Sequence, residues 1–289
     1  MRKRGNPWRC ITPVLVYLIL QSLVSSVVIM AYYVKQGFFS QSGVSAEELM
    51  NQIVSSTLTN MNVLSYIAMI VGYVILIPIF WYMYRKDLAQ DQVMGYETRR
   101  KMQVPPVMYG ILIAAGAVSC LAASNMISMS GLVGSSENYA EAAGTLYSTG
   151  PVLELIGLGI LAPIAEEFLF RGLVYRRFKE FNTVIWSMIW ASLVFALLHG
   201  NMVQGIYAFI MGFLLCYVYE RYQSLLAPVV MHMASNLVAV TASETGVLDF
   251  IYGSQGMLYG ATFVCCVVLV AMIYLIEVYV RPYTEGTDR

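Results

Sequence analysis

The sequence predicts an all-α, polytopic membrane protein with about eight transmembrane helices, and three observations predict it. The 289 residues are 58% apolar and only 12% charged, whereas soluble domains average roughly 45–50% apolar and about 25% charged. Apolar runs recur along the chain at the length of about 20 residues that a helix needs to cross a hydrocarbon core of about 30 Å. The cationic residues fall between those runs on alternate sides. This composition excludes a soluble enzyme. With 13% aromatic residues, the chain also has far more to bury than a disordered segment does. Lys plus Arg and Asp plus Glu number 17 each, a balance that argues against a nucleic-acid partner.

In order, the expected spans are 11–34, 62–84, 105–129, 151–172, 184–200, 203–220, 225–243 and 258–280. The first follows Met1-Arg2-Lys3-Arg4, is too long for the apolar region of a signal peptide and precedes no small-residue cleavage motif, so it reads as an uncleaved signal anchor. Cytoplasmic loops carry an excess of Lys and Arg. With the N-terminus inside, the inner segments hold Arg2, Lys3, Arg4 and Arg9; Arg85, Lys86, Arg99, Arg100 and Lys101; Arg171, Arg176, Arg177 and Lys179; Arg221; and Arg281 and Arg289. Lys35 alone falls outside, beside Glu47, Glu48, Glu137, Glu141, Glu244 and Asp249. Both termini are therefore expected in the cytoplasm, with the 85–104 and 173–183 loops.

The outer loop 35–61 contains Ser45-Ala46-Glu47-Glu48, a capping box that suggests a short surface helix. The glycine-containing 130–150 loop is expected to wrap irregularly over the outer face. Cys10, Cys120, Cys216, Cys265 and Cys266 are odd in number and mostly lie in apolar runs, so they read as core or lipid-facing residues rather than a disulfide framework. Tyr and Trp near span ends, such as Trp81, Tyr82 and Tyr84 beside Arg85, fit an interfacial belt. Gly205 and Gly212 suit close helix packing. No inverted repeat of the transporter kind is visible. The chain is expected to divide into a three-span N-terminal scaffold (1–149), a core of spans 4–7 (150–243) that the residues below mark as catalytic, and a final span with a short tail (244–289).

Ionisable side chains at membrane depth are costly and tend to be functional. The first three span interiors have none. From span 4 onward they cluster: Glu154, Glu166, Glu167, Arg171, His199 and His232, with Asn236 as a polar companion, and the set holds both histidines of the chain. Glu167 and Arg171 stand at the i,i+4 spacing at which an acid pairs with a following base. Glu166 then projects about 100° away around the helix, free to face a cavity. Phe195 and His199 share that four-residue spacing, as do His232 and Asn236. Glu154 stands singly near the outer end of its span, where a solvated helix end and a functional carboxylate are both open readings. Glu277, at the inner end of span 8, reads as a snorkelling carboxylate.

A carboxylate and an imidazole can bind and deprotonate water, while a second imidazole and an amide can donate hydrogen bonds to a developing oxyanion. That is a kit for amide hydrolysis. The sequence has no His-Glu-x-x-His, no Gly-x-Ser-Gly and no aspartate within a span, so zincin, serine and aspartyl designs are poorly served. Two His and a Glu can also make a three-ligand zinc site, here Glu166, His199 and His232. Upright helices at about 1.5 Å per residue place Glu166 and His232 about 9–10 Å from the inner boundary and His199 about 22 Å from it. Span 5 is therefore expected to tilt or to begin deeper than Val184, and the site to open toward the cytoplasm.

Glu166-Glu167-x-x-x-Arg171, Phe195-x-x-x-His199 and His232-x-x-x-Asn236, in that order on three spans, resemble the CAAX-processing and bacteriocin-processing (CPBP, or Abi) intramembrane proteases, which include the type II CAAX prenyl endopeptidases. The resemblance covers roughly residues 150–243. It implies an eight-span intramembrane endopeptidase in which Glu166 and His199 activate water, His232 and Asn236 stabilise the oxyanion, and Glu167 helps hold the site with Arg171 as counter-ion. Family members are described both as metal-dependent and as glutamate-dependent without metal, so zinc and no cofactor both stay open. The implied substrate is a membrane-embedded peptide or protein, and the Arg-rich inner loops suit a bacterial plasma membrane. Two alternatives stand beside proteolysis: a non-catalytic membrane scaffold, acting on a sensor kinase or in bacteriocin immunity, and a proton-coupled transporter.

Overall fold

The protein is described by a computed structural model over residues 8–36, 45–93, 102–132, 136, 144 and 147–282. Arg2, Lys3, Arg4, Arg99, Arg100, Lys101, Glu137, Glu141 and Arg289, which the charge pattern uses, lie outside the described residues, as does most of the 130–150 loop.

The structure is all-α and polytopic. Helices α1 (Trp8–Lys35), α2 (Ala46–Val93) and α3 (Val107–Met129) precede a continuous helical rod, α4, over residues 151–178. After it come α5 (Val184–Leu197), α6 (Met202–Tyr222), α7 (Leu226–Thr245), the short α8 (Val247–Tyr252) and α9 (Gln255–Tyr279). Among the described residues six helices are long and apolar enough to cross a membrane: α1, the Asn60–Val93 part of α2, α3, α6, α7 and α9. The other two expected spans are α4 and α5. At 14 residues, α5 is only about 21 Å long, short of the roughly 30 Å hydrocarbon core.

The capping box is present, with the Glu48 N–H donating to Ser45 Oγ at 3.1 Å and the Ser45 N–H reaching Glu48 Oε2 at 3.4 Å. It opens no separate surface helix. It starts α2, which runs 48 residues without a break, because neither glycine nor proline interrupts the polar 46–61 segment before the apolar run begins.

The rod α4 is not a uniform α-helix. Leu155–Leu161 and Phe168–Tyr175 are π-helical, and between them Ala162–Glu167 is α-helical. Pro163 lacks an N–H and its ring crowds the carbonyl four residues back, so the turn before it widens into i→i+5 bonding. The Ala162 N–H accordingly donates to the Gly157 carbonyl.

Opposite charges tie helix ends together on one face. Arg9 pairs with Glu180 at 2.8 Å and Asp87 at 3.1 Å, Arg177 with Asp87 at 2.7 Å, Arg176 with Asp91 at 2.6 Å, and Lys179 with Glu220. Arg221 pairs with Glu277 at 2.9 Å. A two-residue antiparallel ladder, β1 (Met102–Gln103) with β2 (Arg281–Pro282), joins the entry to α3 and the exit from α9. The start of α1 and the ends of α2, α4, α6 and α9 thus share one face, as the alternating cations require.

Helices α3 and α7 pack closely at Gly116, where a Cβ would lie 2.2 Å from the Met231 carbonyl oxygen. Nothing stands within 4 Å of a Cβ at Gly110, on the same helix. Gly116→Ala is expected to destabilise by about 1–3 kcal/mol through overpacking against backbone, and Gly110→Ala to be neutral or slightly stabilising. Thermal unfolding of the two variants in detergent checks this.

Candidate active site

The rod α4 brings three of the expected residues into the bundle, packed against α1, α2, α5 and α7. Glu167 and Arg171 are buried, at 0% and 1% exposure. Glu167 Oε1 accepts from Arg171 Nη1 at 2.7 Å and from His232 Nδ1 at 2.8 Å. One carboxylate oxygen therefore fixes its own helix partner and an imidazole from α7. Arg171 Nη2 donates to the Gly212 carbonyl at 3.0 Å. At Gly212 a Cβ would sit 3.1 Å from Ser192 Cβ and 3.2 Å from Phe195 Cδ1, so the missing side chain lets α6 lie against α5.

Glu166 turns away from this pair and keeps 17% exposure. Its Oε2 lies 3.8 Å from His232 Nε2. Its Oε1 accepts from the Tyr73 hydroxyl of α2 at 3.5 Å. The ring of His232 thus stands between two carboxylates, with Nδ1 toward Glu167 and Nε2 toward Glu166.

His199 lies just past the end of α5 rather than on its face. Leu198 caps that helix, Gly200 takes a φ of +80°, and Asn201 begins α6 by accepting from the Gln204 N–H at 2.9 Å. The left-handed φ at Gly200 suits a residue without a Cβ and reverses the chain there. The four-residue relation to Phe195 survives in another form, since His199 Nδ1 lies 2.8 Å from the Phe195 carbonyl. A carbonyl only accepts, so Nδ1 carries a proton and donates it to that carbonyl.

Phe195 is the hub of the apolar wall. Its ring lies 4.9 Å from the Arg171 guanidinium carbon, 4.7 Å from the Phe170 ring, 4.6 Å from His199 and 6.0 Å from His232. It contacts both imidazoles and covers the cation.

Asn236 is placed by the π-helical turn. In that turn the fifth residue after Leu158 is Pro163, which has no N–H to give, so the Leu158 carbonyl is free. Asn236 Nδ2 donates to it at 2.9 Å. Glu154 is fully buried and is not a solvated helix end. Its Oε1 accepts the N–H groups of Thr149 and Gly150 at 3.0 and 3.2 Å, closing the start of α4. Glu277 is partly exposed and paired with Arg221.

The zinc set Glu166, His199 and His232 does not assemble. Among the described residues no three His, Cys, Asp or Glu side chains stand together as ligands for a metal ion. His232 Nδ1 is committed to Glu167 and His199 Nδ1 to a backbone carbonyl, which leaves one nitrogen of each ring.

The sequence reading missed Tyr73 and the carbonyls of Leu158 and Gly212. Tyr73 carried a weak signal, because it sits within an apolar run rather than at a span end. The two carbonyls had none, since any residue supplies one.

The helical bundle thus buries a connected network of carboxylate, guanidinium and imidazole groups. Residues 148–238 match the family model of the type II CAAX prenyl endopeptidase Rce1-like proteins, a segment that contains every side chain of the network except Tyr73. The matched segment is less than half of the chain. No curated protein and no solved structure matches the chain.

Removing one partner of a buried ion pair typically costs about 3–5 kcal/mol because the other charge is stranded. Glu167→Gln and Arg171→Ala are each expected to lower thermal stability by an amount in that range, while Glu166→Gln leaves it near wild type. Unfolding of the three variants in one detergent compares them.

Proposed function

We propose that the protein is an intramembrane endopeptidase in which Glu166 is the general base. The observation that carries this reading is the placement of a partly exposed Glu166 carboxylate beside the clamped ring of His232, 3.8 Å away. A water about 2.8 Å from both Glu166 Oε2 and His232 Nε2 fits that separation. Glu166 takes a proton from the water, and the resulting hydroxide attacks the scissile carbonyl carbon. His199 is assigned a part in activating this water on the family resemblance alone. Negative charge on the carbonyl oxygen is met by the second N–H of Asn236 and by His232, which in its doubly protonated form donates Nδ1–H to Glu167 and Nε2–H to the oxyanion. Glu166 then passes its proton to the leaving amine. No step runs through a metal, and hydrolysis is expected to persist in the presence of a tight zinc chelator.

The substrate is proposed to be a membrane-embedded peptide or protein in a bacterial plasma membrane, cut from the cytoplasmic side. Both termini are proposed to face the cytoplasm, because the cationic residues of the sequence fall mostly on that side. Residues 1–149 act as scaffold, 150–243 as the catalytic core, and 244–289 as a closing span and tail.

Membrane peptides from cells carrying wild type or Glu166→Ala are compared by mass spectrometry. Fragments found only with the wild type are expected, and identical peptide sets would overturn the reading. On such a fragment's precursor, Glu166→Gln is expected to cut turnover by at least about 100-fold, the lower end of the usual general-base contribution.

A further inference from the structure

We propose that Pro163 is a positioning residue: by leaving the Leu158 carbonyl without a partner in the rod, it makes that carbonyl the anchor that aims the Asn236 amide at the oxyanion. Pro163 touches neither substrate nor the reacting atoms in this account and acts through Asn236. The proposal rests on the reading of Asn236 as an oxyanion donor.

Two backbone donors could close the rod over Leu158, and neither is free. An α-helical bond needs the Ala162 N–H, which is given to the Gly157 carbonyl. A π-helical bond needs an N–H at position 163, and proline has none. Away from water an unpaired carbonyl is costly. Asn236 Nδ2 meets this one at 2.9 Å.

That contact does more than satisfy a carbonyl. A primary amide carries donors on one side and an acceptor on the other, and a turn about its last torsion exchanges them. Facing Leu158, Asn236 has one favourable setting, with Nδ2 toward the carbonyl, because the opposite setting brings two acceptors together. The second N–H on the same nitrogen then points away from that carbonyl in a fixed direction within the amide plane.

The packing beside the contact holds it in register. Gly159 follows Leu158 and Leu237 follows Asn236, and a Cβ at Gly159 would lie 2.7 Å from Leu237 Cδ2. The missing side chain is the slot that Leu237 fills. On the other side of Leu158, a Cβ at Gly157 would lie 2.7 Å from Met69 Cε of α2. Two glycines thus let α7 and α2 close on the rod at the turn whose carbonyl is free. His232, one turn before Asn236 on α7, is anchored separately through Glu167. The two proposed oxyanion donors are therefore held to α4 at different points.

Pro163→Ala supplies the missing N–H and permits helical closure at Leu158, in competition with Asn236. Selective 15N-asparagine labelling of the full-length protein in detergent reads the outcome without substrate, the Asn236 side-chain signal being identified by its loss in Asn236→Ala. In Pro163→Ala that signal is expected to move toward the positions of solvent-exposed asparagine amides. On the precursor peptide that the wild type cleaves, Asn236→Ala is expected to lower kcat by about 100-fold, as loss of an oxyanion donor does. Pro163→Ala is expected to lower kcat by less, roughly threefold to thirtyfold, at unchanged KM. In the Asn236→Ala background the same change is expected to alter kcat by less than about twofold, because Pro163 acts only through Asn236. Gly159→Ala, which displaces Leu237 beside the same contact, takes its place in the cycle if Pro163→Ala does not fold. An Asn236 signal that ignores the change at the rod, or effects of the two single changes that multiply, would overturn the proposal. Wild-type cleavage by Asn236→Ala would instead remove the oxyanion reading, and the asparagine signal would still decide whether Pro163 positions the amide.

Discussion

Glu167 Oε1 accepts from Arg171 one turn along its own helix and from His232 on α7, and the geometry of the site depends on that shared oxygen. A carboxylate, a guanidinium and an imidazole away from water are each expensive alone. Joined, they compensate one another's charge and fix the spacing between α4 and α7. The Arg171 contact with the Gly212 carbonyl extends the same constraint to α6, and the stacking on Phe195 extends it to α5. Four helices are thereby held by one ion pair and its hydrogen bonds. Glu166, the next residue, can then be left partly exposed at a set distance from an imidazole that cannot swing away.

The second constraint comes from Pro163. A proline in the middle of a membrane helix costs a backbone hydrogen bond, and in lipid the orphaned carbonyl needs another donor. The π-helical turn makes Leu158 the carbonyl that goes without, and Asn236 supplies the donor. The broken helix and the polar residue on α7 therefore explain each other. The same turn sets where Glu166 and Glu167 point, because it changes the angular offset of everything that follows it.

Much of this was legible in the sequence. The four-residue spacing of Glu167 and Arg171 is a helix-surface rule, and it held because both residues straddle the junction of the α-helical and π-helical parts of the rod while still pointing inward. The placement of His232 with the acids followed from its cost in lipid. What was not legible depended on the third dimension. Ser45 to Glu48 showed that a helix starts there but not how far it continues. His199 has the spacing of a helix-face residue, yet Gly200 ends the helix before it, and only the left-handed turn shows that. The burial of Glu154 follows from backbone N–H groups folding over it, for which the side-chain pattern has no symbol. Tyr73 reaches Glu166 across 93 positions of sequence, and periodicity within one helix says nothing about which neighbour it meets.

With only two histidines in the chain, selective 15N-histidine labelling gives a spectrum of two rings, and it tests the clamped site most directly. The account predicts that both rings carry a proton on Nδ1, that of His232 held by Glu167 and that of His199 held by the Phe195 carbonyl. It also predicts that a conservative change at Glu167 moves the His232 nitrogen signals and leaves those of His199 in place. A His232 ring with an unprotonated Nδ1, or signals from both rings that ignore a change at Glu167, would contradict it.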